Sequence, residues 1–174
     1  RFQRRILELW FRYFDEIFET VKGPDGGCSF QTYALWAPGT MAKVQCDLGA
    51  MISPGQFREF VQPYLAEHCD RLDFSMFHLD GPHCTCHVDA LMEIDSLNAV
   101  QWTPGSGQEG MGSPKWYPLY EKIRGAGKSL QLLGTQPHEI PGLLKRFGRE
   151  GLIISTGART ETEARELLSE YGRS

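Results

Sequence analysis

Apolar residues recur along this chain in two alternating rhythms. Phe2, Ile6, Leu7, Trp10, Tyr13, Phe14, Ile17, Phe18 and Val21 follow the helical period. They predict a helix over residues 1–22, stopped by the GPDGG run at 23–27. Short apolar runs then predict strands over 30–36 (FQTYALW), 74–79, 98–102, 129–133 (SLQLL) and 152–155 (LIIS). The stretch from Gly39 through the QCD triplet at 45–47 reads as a long loop. Helical patterns lie between the strands. Ser53-Pro54 supplies an N-cap and a first-turn proline for a helix over 54–72. Others follow over 83–94, from Ser113-Pro114, and from Pro137 to Phe147. Thr160 and Glu163 form a T-x-x-E capping box for the last helix.

Strands alternating with helices imply parallel βαβ units and an α/β fold. Five strands and a leading helix suit either a doubly wound sheet or part of a (β/α)8 barrel, and the alternation alone does not choose between them. A whole barrel takes about 250 residues, so 174 residues would make its second half. In both architectures chemistry sits at the carboxyl ends of the strands. Two such ends stand out. FSMFHLDGP at 74–82 carries His78 and Asp80 into a Gly-Pro turn, and NAVQWTPG at 98–105 carries Gln101, Trp102 and Thr103 into a Pro-Gly loop.

His78 and Asp80 are two residues apart on a strand and so share a face. A His and a carboxylate there can bind a metal or shuttle a proton; alternatively they hold the loop, with Asp80 capping the next helix. Gln101 would orient a carboxylate or amide substrate and Trp102 would supply an apolar wall, although a tryptophan at a strand end also suits the core. Cys46 and Asp47 fall in the loop before Ser53. The cluster His83, Cys84, Cys86, His87 is too compact for one tetrahedral metal site, and partly buried cysteines beside surface histidines explain it as well. Cys28, Cys69 and His68 read as structural and His138 as solvated. Gly105–Gly112 lacks the Lys-Ser/Thr ending of a phosphate loop and reads as a mobile loop over the site.

Composition narrows the function classes. With a net charge of −4 and 41% hydrophobic residues, the chain has no electrostatic reason to bind nucleic acid or an anionic membrane. No run approaches the roughly 20 apolar residues of a membrane span, and no signal peptide is visible. Five cysteines, an odd number without disulfide-scaffold spacing, point to a reducing cytoplasm. The chain opens on Arg1 directly in helical pattern, which suggests a removed leader or a piece of something longer.

Several runs together resemble the uroporphyrinogen decarboxylase superfamily: ISPGQFREFVQPYL at 52–65, FHLDGP at 77–82, AVQWTPG at 99–105, WYPLYEKIRGAGKSLQL at 116–132 and the closing GLIIST. The likeness runs from about Trp36 to the end and is nearest to the decarboxylase-like branch beside the corrinoid-linked methyltransferases. It implies the C-terminal half of a (β/α)8 barrel, from about the fourth strand to the eighth. It also implies methyl transfer on a small methylated substrate, with a corrinoid protein as partner. Corrinoid-linked relatives hold a zinc through a His-x-Cys pair at this strand end and a cysteine near the last strand, and the zinc turns a substrate thiol into a thiolate. Here His78 matches the histidine, Asp80 stands at the first cysteine, and Ser155 and Thr156 stand near the second. Cys84 or Cys86 would restore the missing sulfur, giving His78, Asp80, Cys84 and Cys86 as the metal set. Asp47 becomes a substrate contact. The alternatives are porphyrinogen decarboxylation, or an inactive or structural half-barrel that dimerises or lacks its N-terminal half.

Overall fold

The computed structural model describes residues 2–172. In chain order the elements are α1 (Phe2–Val21), β1 (Cys28–Phe30), β2 (Leu35–Ala37), β3 (Met41–Gln45), α2 (Pro54–Phe60), α3 (Gln62–Asp70) and β4 (Phe74–Asp80). They continue as α4 (Val88–Met92), β5 (Ala99–Thr103), α5 (Tyr117–Gly125), β6 (Ser129–Leu133), α6 (Ile140–Phe147), β7 (Leu152–Ser155) and α7 (Glu161–Tyr171). Strands β3 to β7 form one parallel sheet whose spatial order is the chain order. Strands β1 and β2 make a separate antiparallel hairpin. The α/β class and the parallel alternation are as the apolar pattern predicts, and this sheet is compatible with part of an α/β barrel.

The first sheet strand is not the predicted one. FQTYALW is interrupted by a 3-10 turn at Gln31–Tyr33 and by Ala34 in the left-handed region, φ 50°. It becomes the turn of the hairpin. The strand lies instead in the expected loop. In MAKVQ, Ala42 and Val44 are buried on one side while Lys43 and Gln45 take the other, so the run is too polar to register as an apolar strand. The helix expected over 54–72 is broken at Val61. Pro63 has no N–H for the Glu59 carbonyl, and its ring crowds that turn. The helix expected over 83–94 begins as a 3-10 turn, Pro82–His87, before α4.

Alternation divides each sheet strand between two faces. Val44, Phe77, Leu79, Val100, Trp102, Leu130 and Leu132 point to the helices. They share one core with Phe57 of α2, Leu65 of α3, Leu91 of α4, Tyr120 and Ile123 of α5 and Leu143 of α6. The caps agree with the sequence: the Ser53 hydroxyl accepts from the Gln56 amide while Gln56 accepts from the Ser53 amide. Thr160 accepts from the Glu163 amide, but the Glu163 carboxylate takes the Arg159 amide rather than closing the box. Helix α7 buries none of its side chains and leaves a cleft of about 700 Å³ against α6 and β7, walled by Ile140, Leu144, Leu152 and Leu167.

Helix α1 docks outside β3 through Leu7 and Phe11, which pack on Ala42 and Leu72. The His68 ring lies 4.2 Å from that of Trp10 and 5.2 Å from that of Phe11. Burial, and then the Arg71 charge, push the His68 pKa down to about 4, and its Nε2 is buried without a hydrogen-bond partner. A second stripe of α1, including Phe2, Ile6, Tyr13 and Ile17, is exposed. Among the described residues, no helix is long and apolar enough to cross a membrane.

Candidate functional site

The sheet face away from the helices carries a polar row. Gln45 pairs in register with His78, His78 with Gln101, and Gln101 with Gln131. Four neighbouring strands thus place three glutamines and a histidine side by side. One step towards the carboxyl ends, Asp80 is in register with Thr103. One step back, Lys43 precedes Gln45; among the described residues it is the only Lys or Arg that the five strands put on this face.

His78 and Asp80 are brought together. Nε2 of His78 is 3.9 Å from Oδ2 of Asp80, with the imidazole largely buried and the carboxylate 57% exposed. That separation exceeds a hydrogen bond, so each keeps a free polar edge towards the site. Nδ1 of His78 is bonded to Oε1 of Gln101. The Gln101 amide nitrogen donates to the Trp102 carbonyl at 2.7 Å and to Oγ1 of Thr103 at 2.9 Å. Gln101 is itself fully buried, a cost met by these bonds. Asp47 lies in the turn after β3 and accepts from the Gln45 amide at 2.8 Å, and Lys43 donates to Oε1 of Gln45.

The hairpin turn covers this row. The backbone carbonyl of Tyr33 accepts from the Gln131 amide at 2.6 Å. The Tyr33 ring lies 5.5 Å from that of His78 and 5.8 Å from the Lys43 ammonium. Partial burial, followed by the charges of Asp80 and Asp47, raises the Tyr33 pKa. Its phenol therefore stays protonated and can donate, and both carboxylates act on it across the site.

Trp102 takes the other face. It is fully buried among the helices, its ring 5.0 Å from that of Trp116, because successive strand residues alternate. Gln101 lines the polar face and Trp102 does not. The four expected metal donors do not converge either. Cys84 is buried in the helix-facing core beside Gly49, and burial, then the Asp80 charge, raise its thiol pKa. Cys86 is exposed and donates to the His83 carbonyl. His87 is buried against Phe57, with Nε2 on the Gly49 carbonyl at 2.8 Å. Among the described residues, no three His, Cys, Asp or Glu side chains group where a metal ion could be held. The donor set as arranged does not fit zinc.

Tyr33, Gln45 and Gln131 join the site without being expected there, whereas Thr103 lies at the strand end that the sequence singles out. A signal for Gln131 is present, since SLQLL carries a polar residue inside an apolar run, while Gln45 ends a run too polar to register as a strand. Tyr33 reaches the site from another element and had no such signal. No protein-family model, no curated protein and no solved structure matches this chain.

Proposed function

We propose that the chain forms the C-terminal part of a uroporphyrinogen-decarboxylase-like (β/α)8 barrel and acts in methyl transfer between a small substrate and a corrinoid protein. The observation that carries this reading is the His78–Asp80 pair at the carboxyl end of a central parallel strand. Two features support it. Strand order equals chain order, and the sheet strands and the intervening helices share one core on one face, whereas a doubly wound sheet reverses its order part-way. The resemblance at 77–82 and 99–105 covers His78, Asp80, Gln101 and Thr103 of the site.

In this reading His78 accepts a proton from the substrate, and the Asp80 carboxylate stabilises the imidazolium that forms. The protonated Tyr33 phenol and Thr103 hydroxyl orient the ligand, and the hairpin turn keeps bulk water from the row. A corrinoid carried by the partner protein would supply the methyl-exchanging cobalt. Zinc enters no step, since the donors do not fit it. Lys43, among the described residues the one Lys or Arg that the five strands put on this face, disfavours a porphyrinogen with many carboxylates, which calls for several basic groups.

The test is consumption of free methylcobalamin by the purified chain in the presence of a small thiol, beside a His78→Ala variant. The expected result is a rate above that of thiol alone, reduced in the variant by about 10²–10⁴-fold. A rate no greater than that of thiol alone overturns the assignment. Carbon dioxide release from a porphyrinogen, lost in His78→Ala, would move it to decarboxylation. Elemental analysis completes the test: one zinc per chain that disappears in the variant would restore the four-donor site.

A further inference from the structure

Gln101 sits one strand away from His78, is fully buried, and spends its whole amide on local partners. The orientation of that amide follows from one neighbour. A backbone carbonyl only accepts hydrogen bonds, so the edge of Gln101 that lies 2.7 Å from the Trp102 carbonyl must be the NH₂. The other edge, facing Nδ1 of His78, is then the amide oxygen, and an oxygen acceptor requires a proton on Nδ1. In a neutral imidazole, a proton on one nitrogen leaves a lone pair on the other.

We infer that Gln101 is a positioning residue that fixes His78 as the Nδ1–H tautomer, so that Nε2 meets Asp80 as a second acceptor and the site takes ligands that present a hydrogen-bond donor. Two acceptors 3.9 Å apart cannot bond each other. Between them they hold a thiol, a hydroxyl or an ammonium. A carboxylate there meets a lone pair and a like charge. The inference rests on His78 as the proton-handling group of the proposed site, and it adds both the atom that takes the proton and the ligand class.

The experiment is two-dimensional ¹H–¹⁵N spectroscopy of the imidazole nitrogens in the full chain, with His78 assigned by its disappearance in His78→Ala. The wild-type protein is expected to show His78 protonated on Nδ1. Gln101→Leu is expected to lose that pattern in favour of Nε2–H, and Gln101→Glu, which keeps an acceptor, is expected to retain it. A merely structural role for Gln101 moves none of these signals. His78 protonated on Nε2 in the wild-type chain, or an unchanged pattern in Gln101→Leu, overturns the inference, and the wild-type spectrum decides even where the leucine variant does not fold. Addition of a small thiol is expected to move the His78 Nε2 resonance, while an equal concentration of propionate leaves it in place. No movement with the thiol, or movement with propionate, overturns the ligand class. The tautomer spectra need no methyl donor or corrinoid, so they succeed or fail independently of the methyl-transfer assay.

Discussion

Val100, Trp102, Leu130 and Leu132 point one way from the central strands; Ala99, Gln101, Ser129 and Gln131 point the other. Both sets are close-packed, and Trp102, Leu130, Gln101 and Gln131 are all fully buried. Yet one set is apolar and meets five helices, while the other is polar and meets a hairpin turn, its neighbours across the strands and a histidine. Burial alone therefore does not separate core from site in this molecule. What separates them is hydrogen bonding: the polar side chains stay buried because each has a partner of its own, and the partners form the site.

The comparison breaks most severely on the helix side. Trp102→Ala removes a fully buried ring packed on Trp116, and we expect a loss of about 3–5 kcal/mol in denaturant unfolding. Next is the edge where α1 docks. His68 has a folded pKa of about 4 against an ordinary 6.5, so on acidification the unfolded chain takes up its proton first. Stability is full above about 6.5, falls as pH drops through the window from about 6.5 to about 4, and the loss is complete below it. Solvent screening of this partly exposed ring limits the change to about 1–2 kcal/mol. His68→Phe is expected to flatten that part of a plot of melting temperature against pH.

Smaller effects sharpen the contrast from the site side. His78→Ala is expected to cost about 1–2 kcal/mol, because it leaves Oε1 of the fully buried Gln101 without its Nδ1 partner, while lowering thiol-dependent methylcobalamin consumption about 10²–10⁴-fold. Cys86→Ser should leave the melting curve within about 0.5 kcal/mol of the parent. Cys84→Ser, which buries a hydroxyl in the apolar core, should cost about 1–3 kcal/mol. Equal effects of the two serine variants would show that Cys84 and Cys86 share an environment, contrary to their placement on opposite sides of the 3-10 turn.

The parallel alternation was legible because four of the five sheet strands are apolar runs between capped helices. Strand β3 was not, since Lys43 and Gln45 dilute its pattern. The His78–Asp80 pair follows from the period of two, and the same period already forbids Gln101 and Trp102 from lining one pocket. Cys84 was drawn into the site by proximity in sequence, but the 3-10 turn directs it to the core. Tyr33 arrives from the hairpin, about 45 residues before His78 along the chain, a distance that no local pattern spans.

The polar row also acts as a gauge of strand alignment. A slip of one residue in β5 or β6 would turn Gln101 or Gln131 into the apolar helix layer and Trp102 or Leu132 out of it, exchanging every side chain between the faces. Such a misaligned sheet would strand an unpaired amide among leucines, at a cost of about 1–3 kcal/mol for each. The residues that shape the site are thereby also those that reject wrong pairings during folding. Replacing them with apolar residues, even where the native state tolerates it, would widen the set of sheets this chain can form.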